Sequence, residues 1–182
     1  MTLLDALREV THETRGSVGT IRLAMTTLLE DGIDEATRVE LVEAADREAV
    51  RLVAELAAIP ALAAAAADTS MPTPVDLAAA LKTAHRAVSG LGVPVKVRGR
   101  APLMASLRAT SLDAVLQALL KFGVACGATE VTAGADGDTV TLGFVGGVHR
   151  GPLIGHLASE LGAATVDTTD DGFCLRVPRV TA

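Results

Sequence analysis

Two adjacent residues near the start of the chain, His12 and Glu13, are of types that can perform chemistry together, and Arg15 is close by. Neutral imidazole is nucleophilic near pH 7 because its reference pKa is about 6.5. A carboxylate beside the ring can orient one ring nitrogen and accept its proton while the other nitrogen attacks an electrophile. The alternative is a solvated surface histidine without a function. Which interpretation holds depends on the element that carries His12 and on the direction in which the side chain points.

The residues around His12 form one long predicted helix. Apolar or small residues recur at alternating intervals of three and four, which is the heptad seam of a helix packed in a bundle. The seam consists of Leu4, Leu7, Thr11, Thr14, Val18, Ile21, Met25 and Leu28. His12 directly follows a seam position, so it is predicted to point to solvent from the side of the bundle. Gly32 is predicted to end the helix, since glycine readily adopts the left-handed conformation of a helix C-cap.

A second helix is predicted after Asp34, a plausible N-cap. Its seam consists of Val42, Ala45, Ala49, Leu52, Leu56 and Ile59. The short connection predicts antiparallel packing of the two helices. One hairpin cannot cover stripes of this length, so a homodimer forming a four-helix bundle is predicted. Pro60 is expected to end or kink the second helix because its ring clashes with the preceding turn.

Residues 69–74 read as a linker, and the pattern beyond them alternates helices and strands. Helices are predicted at 75–89, from an N-cap at Ser111 to about Cys126, and at 152–161; strands are predicted at 93–98, 103–108, 130–135, 139–145, 164–168 and 173–178. Helices on one face of a mixed sheet give an α+β sandwich. The predicted domains are a helical hairpin at 1–68 and a small α/β sandwich at 75–182.

The composition excludes several classes of function. With 49% hydrophobic and 21% charged residues the chain should fold, while a net charge of −6 and 2% aromatic residues disfavour nucleic-acid binding. Residues 1–70 hold six basic and thirteen acidic residues, against ten and nine in the remainder, which supports a boundary near residue 70. The start lacks the apolar core of a signal peptide, and the longest apolar run is too short to span a bilayer. A soluble cytoplasmic protein with two reduced cysteines and no membrane contact is predicted.

The segment Thr11-His12-Glu13-Thr14-Arg15, with the later run Leu28-Leu29-Glu30, resembles the phosphoacceptor helix of the histidine-kinase dimerisation domain. That family's motif is His-Glu-Leu-Arg-Thr-Pro followed by an apolar helix. The second helix is similar as well, with its Glu-x-x-x-Arg stretch at Glu43 to Arg47 followed by Leu-x-x-x-Leu. The resemblance covers residues 3 to about 66. It implies that His12 is phosphorylated, and Arg15 would steady the phosphoryl charge or pair with a glutamate.

Two departures from the family pattern bear on activity. Gly16-Ser17 stands where the family has Thr-Pro, so the hydroxyl that positions water for dephosphorylating a partner is absent and phosphatase activity is in doubt. The second domain resembles, in its order of elements, the ATP-binding domain of the GHKL type. Phe122, however, stands where the metal-chelating Asn belongs, and a phenyl ring cannot coordinate Mg²⁺. Gly146 replaces the adenine-binding Asp, and the loop that follows lacks the family's glycines, with Val148 and Arg150 in their places.

A phosphoacceptor histidine without these ATP ligands predicts a histidine phosphotransferase that relays phosphoryl groups between receiver-domain aspartates of response regulators in a two-component phosphorelay. The predicted docking surface consists of Arg8, Thr11, Arg15, Gly16 and Gly19, the glycines allowing close approach of a receiver helix. No cofactor or metal of its own is expected, since Mg²⁺ would arrive with the receiver. The alternatives are a divergent ATP-dependent histidine kinase, a non-catalytic pseudokinase adaptor, or a dimerisation module in which His12 is incidental.

Overall fold

The chain begins with two long helices, α1 (Leu3–Thr27) and α2 (Glu35–Ala67). The computed structural model of the protein describes residues 3–88, 90, 92–98, 102–146, 152–160, 165–169 and 172–180. Gly32 in the connection has a φ of +87°, and the Asp34 side chain accepts a hydrogen bond of 2.8 Å from the Thr37 backbone N–H. The predicted N-cap at Asp34 is therefore confirmed, whereas α1 ends at Thr27, five residues before Gly32, so the glycine lies in the connection and is not the cap of α1.

The face through which α1 packs inside the chain differs from the predicted seam. Ala6, Val10 and Ala24 are buried, whereas the seam residues Val18 and Met25 are 49% and 53% exposed. Small side chains let α1 approach its neighbours closely, and the larger apolar ones remain on an adjacent face. The heptad pattern thus correctly predicted the helix, but it marks a surface that the single chain leaves uncovered.

Helix α2 continues through Pro60 to Ala67, so of the two expected outcomes the end at the proline does not occur, and the kink stays a prediction. Proline removes one backbone donor and crowds the preceding turn. The last turns are nevertheless held by packing, since Ala61, Leu62 and Ala65 are at most 4% exposed. Tertiary contacts override the local signal here.

By length and composition alone, α2 is apolar enough to cross a membrane. A core helix of a soluble protein passes the same test. A third of its most apolar stretch is buried inside the protein, and Glu55 in its middle is fully buried. The absence of membrane contact stays a prediction.

The remainder of the chain has α+β architecture, as predicted. Its elements are β1 (Thr73–Asp76), α3 (Leu77–Ala87), β2 (Val95–Val97), β3 (Met104–Leu107), α4 (Ala109–Ala125), β4 (Glu130–Asp136), β5 (Thr139–Val145), α5 (Pro152–Glu160), β6 (Thr165–Thr169) and β7 (Gly172–Pro178). Five strands form a mixed sheet of order β2-β4-β5-β7-β6, in which only the β2–β4 pair is parallel. Strands β1 and β3 pair antiparallel in a separate two-stranded sheet.

One face of the five-stranded sheet is buried and the other is polar. Strand β5 alternates between buried Val140, Leu142 and Phe144 and partly exposed Thr141 and Gly143. This alternation is what a sheet covered by helices on one face requires. Phe144 stacks on Phe173 of β7 with ring centroids 4.5 Å apart, beneath Gly123 of α4.

Two predicted helix starts need correction. The helix predicted from residue 75 begins at Leu77, because Val75 and Asp76 belong to β1 and pair with β3. The Asp76 carboxylate then caps α3 by accepting from the Ala78 N–H at 3.0 Å. Ser111 is not an N-cap: α4 begins at Ala109, and the Ser111 hydroxyl donates to the Asp68 carboxylate at 2.9 Å.

Asp68 ties the end of α2 to the start of α4. Its carboxylate accepts hydrogen bonds from the Ser70 N–H and from both the N–H and the hydroxyl of Ser111. These bonds, first those from Ser70 and then those from Ser111, lower the pKa of Asp68 from 3.8 to about 2. The second half of α2 also contributes Ala58 and Leu62 to the core shared with α4. The division into domains at 68–75 stays a prediction.

Candidate functional site

His12 lies on the exposed side of α1, opposite the face buried against the rest of the protein. The buried residues Ala6, Val10, Ser17 and Ala24 fall on one stripe of the helix, and His12 falls outside it. Among the described residues the imidazole makes no hydrogen bond, and the His12 side chain is exposed to solvent. The structure therefore places the ring where the sequence predicted it, on the surface of a long helix.

Two arginines bracket the imidazole on the same face of α1. Arg8 precedes His12 by four residues and Arg15 follows it by three, the spacings at which helix side chains meet. Both line a shallow depression of about 370 Å³ together with Leu4, Leu7, Thr11 and His12. Neither arginine has an acidic side chain within ion-pair distance in the described part of the chain. Their guanidinium donors are thus available to an anionic group held at the imidazole.

Glu13 points away from the imidazole. Its Oε2 is buried and accepts no hydrogen bond from any described residue. Burial, and then the negative charge of Glu55, raise the pKa of the Glu13 carboxyl above its ordinary value, while Arg51 opposes this. The prediction that Glu13 orients the His12 ring stays a prediction, but the burial of this oxygen favours a role in the interior.

The predicted docking residues around His12 are exposed. A Cβ added to Gly16 or Gly19 would meet nothing within 4 Å, so the helix surface is low and open at both positions. Thr11 is exposed, but its hydroxyl donates to the Leu7 carbonyl at 2.7 Å and is therefore already used. The structure brings these residues together with Arg8 and Arg15 on one side of α1.

Two features beside this face were missed in the sequence. Arg22 is exposed and follows Arg15 by seven residues, just as Arg15 follows Arg8. This seven-residue spacing of arginines is present in the sequence and could have predicted a basic row on one side of the helix. The buried His156 of α5 lies with Nε2 2.8 Å from Glu9 Oε2, three residues before His12. No sequence signal pairs residues 147 positions apart, so this contact between α5 and α1 required the structure.

The region compared with an ATP site is described only in part. Phe122 is fully buried in the core, so this side chain faces no surface on which a ligand could bind. Gly146 has a φ of +78° at the end of β5, which favours glycine and fits the predicted turn. Val148 and Arg150 lie outside the described residues. Within the described ranges no group of three or more His, Cys, Asp or Glu side chains is placed to hold a metal ion.

Comparison with known proteins gives similarity to solved structures only. No protein-family model matches the chain, and no curated protein matches it. Among solved structures, histidine kinase AdeS of Acinetobacter baumannii is 13% identical with a TM-score of 0.48; 93% of this chain and 98% of AdeS are covered. The cytoplasmic segment of histidine kinase QseC is 13% identical with a TM-score of 0.45, covering 84% and 99%.

A solved bacterial phosphotransferase is 15% identical with a TM-score of 0.42, and the similarity covers 97% of both chains. At these identities the likeness concerns the fold and says nothing of activity. In its order of elements, a long helical hairpin followed by a mixed-sheet α/β part, the chain is similar to the cytoplasmic segments of histidine kinases.

Proposed function

We propose that the protein is a histidine phosphotransferase in which His12 carries a phosphoryl group between aspartates of response-regulator receiver domains. The observation that supports this most directly is the exposed imidazole between Arg8 and Arg15, neither of which has an ion-pair partner among the described residues. A histidine kept only for packing would be buried or hydrogen-bonded, as His85 and His156 are.

The transfer uses the imidazole as a nucleophile. A ring nitrogen attacks the phosphorus of the receiver's aspartyl phosphate, a P–N bond forms, and the P–O bond to the carboxylate breaks with its electron pair left on that carboxylate. The proton on the other ring nitrogen passes to solvent once the ring is charged. Attack by a second receiver's aspartate reverses these steps. Arg8 and Arg15 can donate to the equatorial oxygens, where the negative charge of the transferred group is spread.

The same face supplies a surface for the receiver. Arg8, Arg15 and Arg22 form a basic row in a part of the chain that is otherwise acidic, and Gly16 and Gly19 keep the adjoining surface low. An aspartyl phosphate on a receiver domain is itself an anion, so a basic row favours its approach. Complementary charge of this kind mainly raises the rate of association and makes it sensitive to salt.

No nucleotide or metal of its own is part of this proposal. Complete burial of Phe122, at the position that the resemblance assigns to a metal-chelating Asn, supports a second domain that does not supply phosphate from ATP. Mg²⁺ would then be held by the receiver. In this proposal the α/β part has a structural role, because it covers the second half of α2.

A homodimer is proposed because the hairpin leaves a large apolar surface uncovered. Helix α1 exposes Leu4, Val18, Leu23 and Met25, the connection that follows exposes Leu29, and α2 exposes Val39, Val42, Val50, Val53 and Leu56, each by 47% or more. A surface of this extent on two adjacent helices is characteristic of an interface. A second copy of the hairpin presents the same apolar faces and would complete a four-helix bundle.

The proposal is tested by mixing the protein with a panel of receiver domains phosphorylated by acetyl phosphate. Acid-labile phosphate should move to the wild type and to His85→Gln, but not to His12→Gln. Arg15→Ala and Arg8→Ala should slow the transfer while leaving the fold unchanged. Absence of labelled histidine with every receiver would count against a phosphotransferase.

Two further measurements separate the rival functions. Incubation with labelled ATP and Mg²⁺ should leave His12 unlabelled, and labelling there would identify an ATP-dependent histidine kinase instead. If His12→Gln binds a receiver as tightly as the wild type and keeps the full cellular effect, the protein is a non-catalytic adaptor.

A further inference from the structure

The hairpin interior holds an unusual group of buried polar atoms. Within the described residues, four buried side-chain oxygens have no hydrogen-bond partner: Glu13 Oε2, Thr14 Oγ1, Ser17 Oγ and Glu55 Oε2. Three of these oxygens belong to residues of α1 that are neighbours on the helix surface, since Ser17 follows Glu13 by four residues and Thr14 by three. The fourth belongs to α2. Buried polar atoms in proteins are nearly always paired, so four unpaired ones on one helix pair indicate a bound species.

The two hydroxyls in this group differ from others on the same helix. Thr11, Thr20 and Thr26 each donate to the backbone carbonyl four residues earlier, at 2.7, 3.2 and 2.9 Å. Thr14 and Ser17 make no such bond, although it is the usual arrangement for a helical hydroxyl. Their donors and lone pairs are therefore free for a group inside the hairpin.

Arg51 is the cationic side chain that faces these atoms from α2. Glu55 is fully buried, and one of its oxygens accepts from Arg51 Nε at 2.8 Å. Arg51 also faces Glu48, with Nη1 3.5 Å from Oε2. Arg51 is thus engaged by Glu48 and Glu55, and among the described residues Glu13 forms no ion pair. An unpaired carboxylate in such a place is costly, and the usual outcome is that it takes up a proton.

We propose that this cluster is a buried proton-binding site: when it is occupied, the Glu13 carboxyl donates its O–H to Glu55, directly or through a water molecule held by Ser17 and Thr14. The ligand is one proton, and the site is formed entirely by α1 and α2. This inference does not depend on the phosphotransfer proposal, because it concerns atoms on the inner side of the helix that carries His12.

The electrostatic surroundings of Glu13 agree with this assignment. Burial is the main cause that raises the pKa of the Glu13 carboxyl, followed by the charge of Glu55 on α2. On α1, Glu9 raises it and His12 lowers it, and from α2 Arg51 lowers it. From α5, His156 approaches this region through its hydrogen bond to Glu9. Burial and the charges of Glu55 and Glu9 together raise the pKa of the Glu13 carboxyl by more than Arg51 and His12 lower it.

The direct test is a carbon-13 NMR titration of the glutamate side chains in the full-length protein. Glu43 serves as the control because it is exposed and forms only a surface ion pair with Arg47 at 3.5 Å. The Glu13 carboxyl should titrate at a higher pH than the Glu43 carboxyl, and the Glu13 midpoint should fall in Glu55→Gln. A Glu13 midpoint equal to that of Glu43, or one unchanged by Glu55→Gln, would overturn the proposal.

Unfolding by urea at fixed protein concentration gives a second measurement. The folded protein holds the Glu13 proton more tightly than the unfolded chain, so the stabilisation is complete below the unfolded pKa and is lost as pH rises through the folded one. Across that interval the unfolding constant of the wild type should rise by up to tenfold per pH unit relative to Glu13→Gln. Glu43→Gln should follow the wild type. Equal pH dependence in wild type and Glu13→Gln would contradict a proton bound at Glu13.

Discussion

Replacing Gly16 or Gly19 with alanine is predicted to stabilise the folded protein while slowing phosphotransfer. Both glycines lie inside α1, and an added Cβ would meet no atom within 4 Å. Alanine is favoured over glycine in a helix interior by about 0.5–1 kcal/mol. Each substitution should therefore raise the free energy of unfolding by about that amount. A methyl group at the docking face, however, should hold the receiver further from His12.

Gly123 of α4 provides the matched control, because it is also a helical glycine. A Cβ there would lie 2.3 Å from Cδ1 of Phe144, far inside van der Waals contact. Phe144 is buried, and its ring stacks on Phe173. Overpacking costs about 1–3 kcal/mol, which exceeds the gain in helix propensity. Gly123→Ala should thus be destabilised where the other two variants are stabilised.

Urea denaturation at one protein concentration measures the three stabilities, and the rate of phosphate transfer from a receiver measures docking. A lower free energy of unfolding in Gly16→Ala or Gly19→Ala would refute the observation that a side chain fits at these positions without a clash. Displacement of a reacting group by about 1 Å can cost a hundredfold in rate, so even partial obstruction should be measurable. Unchanged transfer in both variants would refute the glycine surface as the receiver site, and a stabilised Gly123→Ala would refute the packing of α4 on β5.

Three further changes have defined outcomes. Val42→Glu should halve the mass measured by light scattering by disrupting the homodimer, whereas Met71→Glu, which is also exposed but lies outside the hairpin, should leave it unchanged; a constant mass in Val42→Glu would contradict this interface. The lowered pKa of Asp68 stabilises the folded protein above the unfolded pKa of about 3.9, and this stabilisation is lost as pH falls to about 2. Asp68→Asn should therefore lose less free energy of unfolding than the wild type across this pH interval. If Asp68→Asn unfolds at the same acid pH as the wild type, the hydrogen bonds from Ser70 and Ser111 to Asp68 do not stabilise the fold. Glu9→Ala leaves the buried His156 without its partner and should cost about 1–3 kcal/mol, with faster amide exchange in α5 if the contact anchors that helix.

The sequence predicted the elements whose signals are local. The long helix around His12 follows from its heptad spacing, and the hairpin between β4 and β5 follows from the glycine at position 137, which has a φ of +56°. The exposure of His12 was also predictable, since it depends only on helical periodicity. The turn between β6 and β7 and residue 161, where α5 was predicted to end, fall outside the described residues.

Features that depend on distant residues were not predictable. Serine is a residue type favoured at helix N-caps, but the hydroxyl of Ser111 donates to the carboxylate of Asp68, 43 positions away in the sequence. Val75 pairs with β3 across a long segment of chain, which overrides its helical pattern. Glu13 was expected beside the imidazole, and its inward position follows from the buried Glu55 and Arg51 on the facing helix. In each case a tertiary partner, absent from the local pattern, decides the outcome.

Helix α2 is a single helix with one end in the core and the other at the tip of the hairpin. Residues 35–53, ahead of Ala54, the first α2 residue in the main core, span about 28 Å at 1.5 Å per residue. A tilt of about five degrees at the base would therefore displace the loop at Gly32 by about 2–3 Å. Forces applied at the tip by a bound protein are transmitted to the core through this lever. A pair of fluorophores, one at the tip and one on the sheet, would report such strain as a change in distance.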